Sequence, residues 1–124
     1  MIKYGFQTYT WQMSYEKYAD QIEHVFDITK QSGLLGVEAE TCMLKGFFDT
    51  SSPEAFQKVL AEKGMEFACL VVVRDWLHDG ETADEKQLAD KAIEFACALP
   101  NTMLSLCPCR RKTGLTLPSG RRMR

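Results

Sequence analysis

Residues 65–73 read MEFACLVVV, and this nearly continuous apolar run decides the fold. A strand that is apolar at successive positions is covered on both of its faces, which is typical of strands in parallel sheets. Other strand-like runs lie at residues 2–10, 35–40 and 102–107. We therefore predict four strands whose centres are about 32 residues apart.

Helical patterns fill the gaps between these runs. Helices are predicted over residues 14–31, 53–63 and 83–98, where apolar side chains recur at helical spacing. The middle helix has the clearest ends, with Ser52 as the N-cap, Pro53 at the first helical position and Gly64 after the last.

The resulting order is β-α-β-α-β-α-β, which predicts an α/β fold with parallel strands and right-handed crossovers. Eight units of about 32 residues would give about 256, close to the usual size of a (β/α)8 TIM barrel. This chain supplies about three and a half βα units, so residues 1–108 are predicted to be the N-terminal half of such a barrel. An open doubly wound sheet is the alternative, but the sequence contains neither G-x-G-x-x-G nor G-x-x-x-x-G-K-[ST].

The net charge of −2 conceals two segments of opposite charge. Residues 1–109 carry all 17 acidic residues and 9 Lys or Arg, a balance of −8, whereas residues 110–124 carry 6 Lys or Arg and no acid, a balance of +6. We predict that residues 109–124 form a basic irregular tail, either disordered or produced by a shifted reading frame. The alternative is a basic arm for nucleic acid or anionic lipid. Because the tail lacks interleaved aromatic residues and a binding fold, we expect no nucleic-acid partner.

The cysteines indicate a reducing compartment. The chain has five cysteines, and an odd number without a secretory-signal pattern argues against a disulfide framework. Cys107 and Cys109 are separated by one residue, whereas paired zinc ligands are commonly two residues apart, so no zinc site is predicted. We expect reduced thiols, with Cys69 and Cys97 in the core. No apolar run approaches the roughly 20 residues that span a bilayer, so the expected location is cytoplasmic, with no membrane partner.

Polar side chains gather at the carboxyl ends of the predicted strands, where the loops of βα proteins converge. The candidate substrate-binding residues are Gln7 and Tyr9 on the first strand, Glu38 and Glu40 on the second, and Asp75 and Trp76 after the third. Alternation puts Gln7 and Tyr9 on one face of their strand. The loop that follows Trp76 also holds His78, a further candidate for ligand contact.

Glu38 and Glu40 share one face of the second strand. Two carboxylates on a buried face are unfavourable unless they are paired, hydrogen-bonded or bound to a cation. A functional site explains them, and so does a salt bridge to Arg74 or exposure at the strand end. A one-residue shift in register would turn them to the other face, so the sequence leaves their orientation open. Asp75 and Trp76 likewise suit either a polyol substrate or a cap on the barrel.

Three of these segments resemble strands of one enzyme family. Residues 5–12 (GFQTYTWQ) resemble the first strand of the xylose isomerase-like TIM barrels, the sugar phosphate isomerase/epimerase group. Residues 32–38 (SGLLGVE) are similar to that family's second strand, and residues 70–76 (LVVVRDW) to its third. The resemblance covers about residues 1–107, and the motifs agree with the family in order and spacing.

The resemblance implies a (β/α)8 barrel that binds a divalent metal (Mn, Mg, Co or Zn) and isomerises or epimerises sugars or polyols; some members are dehydratases or endonucleases. In the epimerases two carboxylates move a proton beside a carbonyl while the metal polarises substrate oxygens. It implies substrate-binding positions at Gln7, Glu38, Asp75 and Trp76. The family's metal ligands, Glu, Asp, His and Glu, lie mainly on later strands, so we expect this chain to bind no metal, and its catalytic residues stay unassigned.

The resemblance leads us to expect which family the chain descends from and whether the chain is active alone. We expect a truncated member of the sugar phosphate isomerase/epimerase family that is inactive alone, because half of the barrel and most of the ligands are missing. One alternative is a non-catalytic half-barrel that pairs with another copy or with a separate second half, since uncovered strand edges and apolar faces favour association. The other alternative is a binding module that uses the basic tail.

Overall fold

A four-stranded parallel sheet organises the protein. The computed structural model describes residues 2–13, 15–18, 20–74 and 80–108. The strands are β1 (Gly5–Gln7), β2 (Gly36–Glu40), β3 (Glu66–Arg74) and β4 (Met103–Pro108). They are neighbours in the order β1-β2-β3-β4, and each neighbouring pair is parallel. The prediction of an α/β fold with four parallel strands is confirmed.

Helices connect successive strands. Between β1 and β2 lie α1 (Tyr9–Gln12), α2 (Tyr15–Tyr18) and α3 (Ile22–Gln31). Between β2 and β3 lie a 3-10 turn (Thr41–Leu44), α4 (Lys45–Phe48) and α5 (Pro53–Lys63), and α6 (Ala83–Cys97) leads to β4. None of the helices in the described ranges is long and apolar enough to cross a membrane.

The helix predictions succeed where local signals are strong. The ends of α5 are those predicted: Pro53 stands at its start, and Gly64 ends it in the left-handed conformation with φ 66°. The prediction of one continuous helix over residues 14–31 is wrong, because Asp20 has a positive φ of 60° and the segment is divided into α2 and α3. The prediction that Cys97 is a core residue is also wrong, since Cys97 is exposed, whereas Cys69 is buried.

The two faces of the sheet differ in what covers them. Val37 and Ala39 on β2 and Leu70 and Val72 on β3 are at most 1% exposed and belong to one hydrophobic core with the helices. The opposite face, which we call the open face, carries the residues that alternate with these: Gln7, Glu38, Glu40, Cys69, Val71, Val73, Ser105 and Cys107. In the described part of the chain, α3, α4, α5 and α6 pack against the first of these faces.

A register shift in β3 lets the open face be continuous. Val37 pairs with Phe67, but the next β2 residue, Glu38, pairs with Cys69, so Ala68 is an extra residue in the ladder. The extra residue resets the alternation, and Cys69 and Val71 come to lie beside Glu38 and Glu40. The apolar pattern of residues 65–73 does not predict this bulge.

A close approach of main chains holds β1 against β2. A Cβ added at Gly5 would lie 2.8 Å from the carbonyl oxygen and 3.0 Å from the carbonyl carbon of Gly36, and both neighbours are backbone atoms that cannot rotate away. We expect Gly5→Ala to lower the free energy of unfolding by about 1–3 kcal/mol through this overlap. Urea denaturation followed by circular dichroism measures the change.

Gly46→Ala is the matched control for that substitution. Gly46 lies within α4, and the nearest atom to its added Cβ is the Asp20 Oδ1 at 3.8 Å, an ordinary contact. We expect Gly46→Ala to be neutral or to stabilise by up to about 1 kcal/mol, because alanine favours helix over glycine. Equal losses in the two variants would contradict the close approach at Gly5.

Three predicted features lie outside the described residues. They are Asp75 and Trp76, the neighbouring His78, and the basic tail at residues 109–124.

Candidate functional site

A tight turn at the end of β1 starts the site. Thr8 is fully buried, and its carbonyl oxygen accepts hydrogen bonds from the main-chain N–H groups of Trp11 and Gln12 at 3.0 and 3.1 Å. These bonds turn the chain into α1 directly after Gln7. The prediction that Tyr9 continues the strand is therefore wrong, because the helical turn forms first.

Thr8 also ties the turn to β2. Its main-chain N–H donates to the Glu38 carbonyl oxygen at 2.9 Å, and its Oγ1 accepts from the Glu40 N–H at 3.4 Å. The same hydroxyl donates to the Gln12 Oε1 at 3.0 Å, which orients the Gln12 carboxamide. A single buried threonine thus fixes α1 over the end of β2.

Two carboxamide–carboxylate pairs form on the open face. Gln7 Nε2 donates to Glu38 Oε1 at 2.6 Å, and Gln12 Nε2 donates to Glu40 Oε2. Both glutamates are partly buried. Among the described residues neither glutamate forms an ion pair, so the salt bridge to Arg74 that was the alternative is not formed. Hydrogen bonds from neutral amides stabilise the carboxylates instead.

The sequence leaves open which face of the sheet Glu38 and Glu40 occupy, and the structure shows that face. Val37 and Ala39, which flank Glu38 in β2, are buried in the core, so Glu38 and Glu40 both face away from the helices. The predicted neighbours Gln7, Glu38 and Glu40 therefore lie on one surface. Tyr9 reaches the same region from α1, although 61% of it is exposed.

Glu40 has the most perturbed environment of the carboxylates in this surface. Burial raises the pKa of Glu40, and the hydrogen bonds from Gln12 and Cys42 together with the charge of Arg74 oppose that rise. The pKa of the Cys42 thiol is raised to about 11, most of all by burial and also by the charge and the hydrogen bond of Glu40. Glu40 and Cys42 form a coupled pair in which the thiol donates and the carboxylate accepts.

A cavity of about 350 Å³ lies beside these groups at the carboxyl edge of the sheet. Its polar wall consists of Gln7, Tyr9, Gln12 and Glu40. Its apolar floor consists of Val71, Val73 and Cys107. We call this space the carboxyl-edge cavity, and its volume falls at the lower end of the roughly 300–1,000 Å³ of small-molecule sites.

A broader cleft of about 920 Å³ lies at the other end of the strands. Core side chains such as Leu60 and Met65 line it, together with the ion pair between Lys3 and Glu66, and the cleft reaches Gln7 and Glu38. Both members of that pair are mostly exposed, which gives it little energetic weight. We place the candidate site at the carboxyl edge, because paired polar groups and a perturbed carboxylate converge there.

Sequence reasoning missed three residues of the site: Thr8, Gln12 and Cys42. The spacing of Thr8 and Gln12, four residues apart, is that of neighbours on a helical turn, and it could have pointed to their contact. It was obscured by the strand-like composition of residues 2–10. Cys42 follows Glu40 by two residues, but its contact arises from the 3-10 turn, for which the sequence carries no clear signal.

The family resemblance implies a divalent metal, which needs several His, Cys, Asp or Glu ligands close together. Within the described ranges, no group of three or more His, Cys, Asp or Glu side chains is close enough to hold an ion. Glu40 and Cys42 alone make an incomplete set of ligands. The described residues therefore do not fit a divalent-metal centre.

Comparisons with protein-family models, with curated proteins and with solved structures found no match to this chain.

Proposed function

We propose that this chain contributes the first four βα strands of a (β/α)8 barrel of the xylose isomerase-like kind, and that its carboxyl-edge cavity binds a sugar or polyol. The observation that carries the proposal is the hydrogen-bonded pair Gln12–Glu40 in the cavity wall, with Gln7 beside it oriented by its hydrogen bond to Glu38. Carboxamides and carboxylates supply the donors and acceptors that hydroxyl groups need.

The topology supports the barrel half of the proposal. In a barrel of this type each strand pairs with its neighbours in chain order, and the helices form the outer layer. The sheet has that consecutive order, whereas the common doubly wound sheets depart from chain order. The open face would then line the interior of the closed barrel, and β1 and β4 would pair with further strands.

The composition of the cavity supports the ligand class. Sugars and polyols present hydroxyl groups on a carbon skeleton, so they match a cavity with a polar wall and an apolar floor. Glu40 accepts from a hydroxyl, Gln7 and Gln12 donate or accept, and Val71 and Val73 contact the carbon atoms. Tyr9 offers both a ring face and a hydroxyl at the rim.

The described strands contribute binding in this proposal. Burial raises the pKa of Glu40, and its carboxylate is suited to accept a proton from a substrate hydroxyl. The family resemblance assigns the metal ligands mainly to later strands, and the metal would polarise substrate oxygens there. We therefore expect this chain alone to bind a sugar without isomerising or epimerising it.

Nitrogen-15 NMR tests the binding directly, because the carboxamide signals of Gln7 and Gln12 report on the wall of the cavity. We expect D-fructose or xylitol to shift both signals with a dissociation constant of roughly millimolar order, as befits a ligand of about ten heavy atoms. Glu40→Gln should weaken binding about fivefold to tenfold, since it removes a charge-assisted hydrogen bond.

Gln57 and Glu62 on α5 provide the controls for this experiment. Both are exposed and lie outside the carboxyl-edge cavity, so the Gln57 signal should not move and Glu62→Gln should bind as the parent does. Shifts that are uniform over all glutamine signals, or no shift at all, would overturn the proposal.

Self-association is a second candidate, favoured by the exposed apolar side chains of β4. Met103 is 67% and Leu106 is 51% exposed, on a strand that pairs only with β3 among the described strands. Sedimentation velocity on the NMR sample distinguishes the candidates: a compact dimer without sugar binding favours self-association, and a sugar-binding monomer favours the first proposal.

A further inference from the structure

The charge of the carboxyl-edge cavity allows its ligand class to be narrowed. Of the seven described residues that line it, Glu40 is the only Asp, Glu, Lys, Arg or His, and it is an acid. Glu38, the acidic neighbour of Glu40 on β2, faces the same side of the sheet. The wall therefore presents negative charge and neutral amides to any ligand.

Arg74, the cation at the end of β3, directly follows the cavity residue Val73 in the chain, but it does not line the cavity. Arg74 alternates with Val73, which forms part of the floor, so its side chain leaves the strand toward the other face. Arg74 is exposed and acts on Glu40 through its charge, without forming an ion pair with it in the described structure. A phosphate group in the cavity would thus meet a carboxylate before it met a described cation.

Phosphate sites in proteins are built from different groups. They use main-chain N–H groups at a helix N-terminus or glycine-rich turn, or arginine and lysine side chains that bind the oxygens directly. Besides Glu40, the described wall of this cavity has one tyrosine and two glutamine carboxamides. Both carboxamides already donate hydrogen bonds to carboxylates. Such a wall matches the hydroxyl groups of an uncharged ligand.

We propose that the carboxyl-edge cavity selects an unphosphorylated sugar or polyol over the corresponding phosphate ester, with Glu40 as the residue that excludes the ester. This inference rests on the proposed function and adds the charge state of the substrate. The carboxylate accepts from a neutral hydroxyl, whereas it repels a phosphate dianion placed within the same small volume.

Paired titrations with D-fructose and D-fructose 6-phosphate test the inference, each followed through the carboxamide signals of Gln7 and Gln12. We expect the phosphate ester to bind about tenfold more weakly than the neutral sugar at low ionic strength. Glu40→Gln should reduce that ratio to about threefold or less, because the repulsion is removed while the shape is kept. Inorganic phosphate is titrated alone to identify binding outside the cavity.

The outcomes separate the two proposals. Binding of fructose 6-phosphate that equals or exceeds that of fructose overturns the inference and leaves sugar binding intact. Absence of any shift with either ligand overturns the proposed function itself. A preference for fructose that Glu40→Gln leaves unchanged overturns the assignment to Glu40. Glu62→Gln is the control for a general effect of net charge, and it should keep the full ratio between fructose and fructose 6-phosphate binding.

Discussion

Replacing Phe56 by alanine should lower the free energy of unfolding by about 3–5 kcal/mol. Phe56 is fully buried, and its ring lies 5.1–6.3 Å from four other phenylalanine rings: Phe26 on α3, Phe47 on α4, Phe67 on β3 and Phe95 on α6. Because these partners come from three helices and the sheet, the substitution opens a cavity where all the layers meet. Urea denaturation followed by circular dichroism gives the change.

A loss of this size is a large part of the roughly 5–15 kcal/mol that stabilises a typical domain. Phe56→Leu is therefore measured beside it, since leucine retains most of the apolar volume and is expected to cost less than about 1.5 kcal/mol. Ile93→Ala on α6 is the exposed control, because Ile93 is 49% exposed, and it should cost less than about 1 kcal/mol. Similar losses at Phe56 and Ile93 would mean that the aromatic cluster is not the centre of the core.

The core was largely predictable because it depends on patterns that are local in the sequence. The apolar run at residues 65–73 predicts β3, which spans Glu66–Arg74, and the signals around Pro53 and Gly64 predict α5 to the residue. Such signals act within a few residues and do not need tertiary contacts. The break at Asp20 was not predictable in this way, since the apolar spacing on its two sides is compatible with one helix.

The site was predicted in part, for a related reason. Gln7, Glu38 and Glu40 are candidates from the sequence because strand ends can be recognised there, and the structure places the three on one surface. Gln12 and Cys42 join the site through a turn and a 3-10 segment, whose geometry depends on bonds to other strands. The bulge at Ala68, which brings Cys69 and Val71 beside the glutamates, likewise depends on pairing between strands that are about 30 residues apart.

The Cys42 thiol should react with iodoacetamide about a hundredfold more slowly at pH 8 than a cysteine of ordinary pKa. Its pKa of about 11, against the ordinary 9.0, leaves about one thiol in a thousand ionised at pH 8 in place of about one in ten. The thiolate is the reactive form, so the rate should rise about tenfold for each pH unit up to about pH 11. Short pulses of reagent followed by peptide mass spectrometry resolve each cysteine, with the exposed Cys97 as the internal reference.

Substitutions at the two neighbouring glutamates identify the cause of this slow reaction. Glu40→Gln removes the negative charge that opposes ionisation of Cys42, whereas burial remains, so we expect the pKa of Cys42 to fall partway and its rate at pH 8 to rise about threefold to tenfold. Glu38→Gln is the matched control, because Glu38 lies on the same face of β2 but does not contribute to the pKa of Cys42. Equal acceleration by both substitutions, or a parent rate at Cys42 that matches Cys97 at pH 8, would show that Glu40 and Cys42 are not coupled. Coupling confined to Glu40 would establish the carboxylate as partly buried and hydrogen-bonded in solution, which is the property that both proposals require of it.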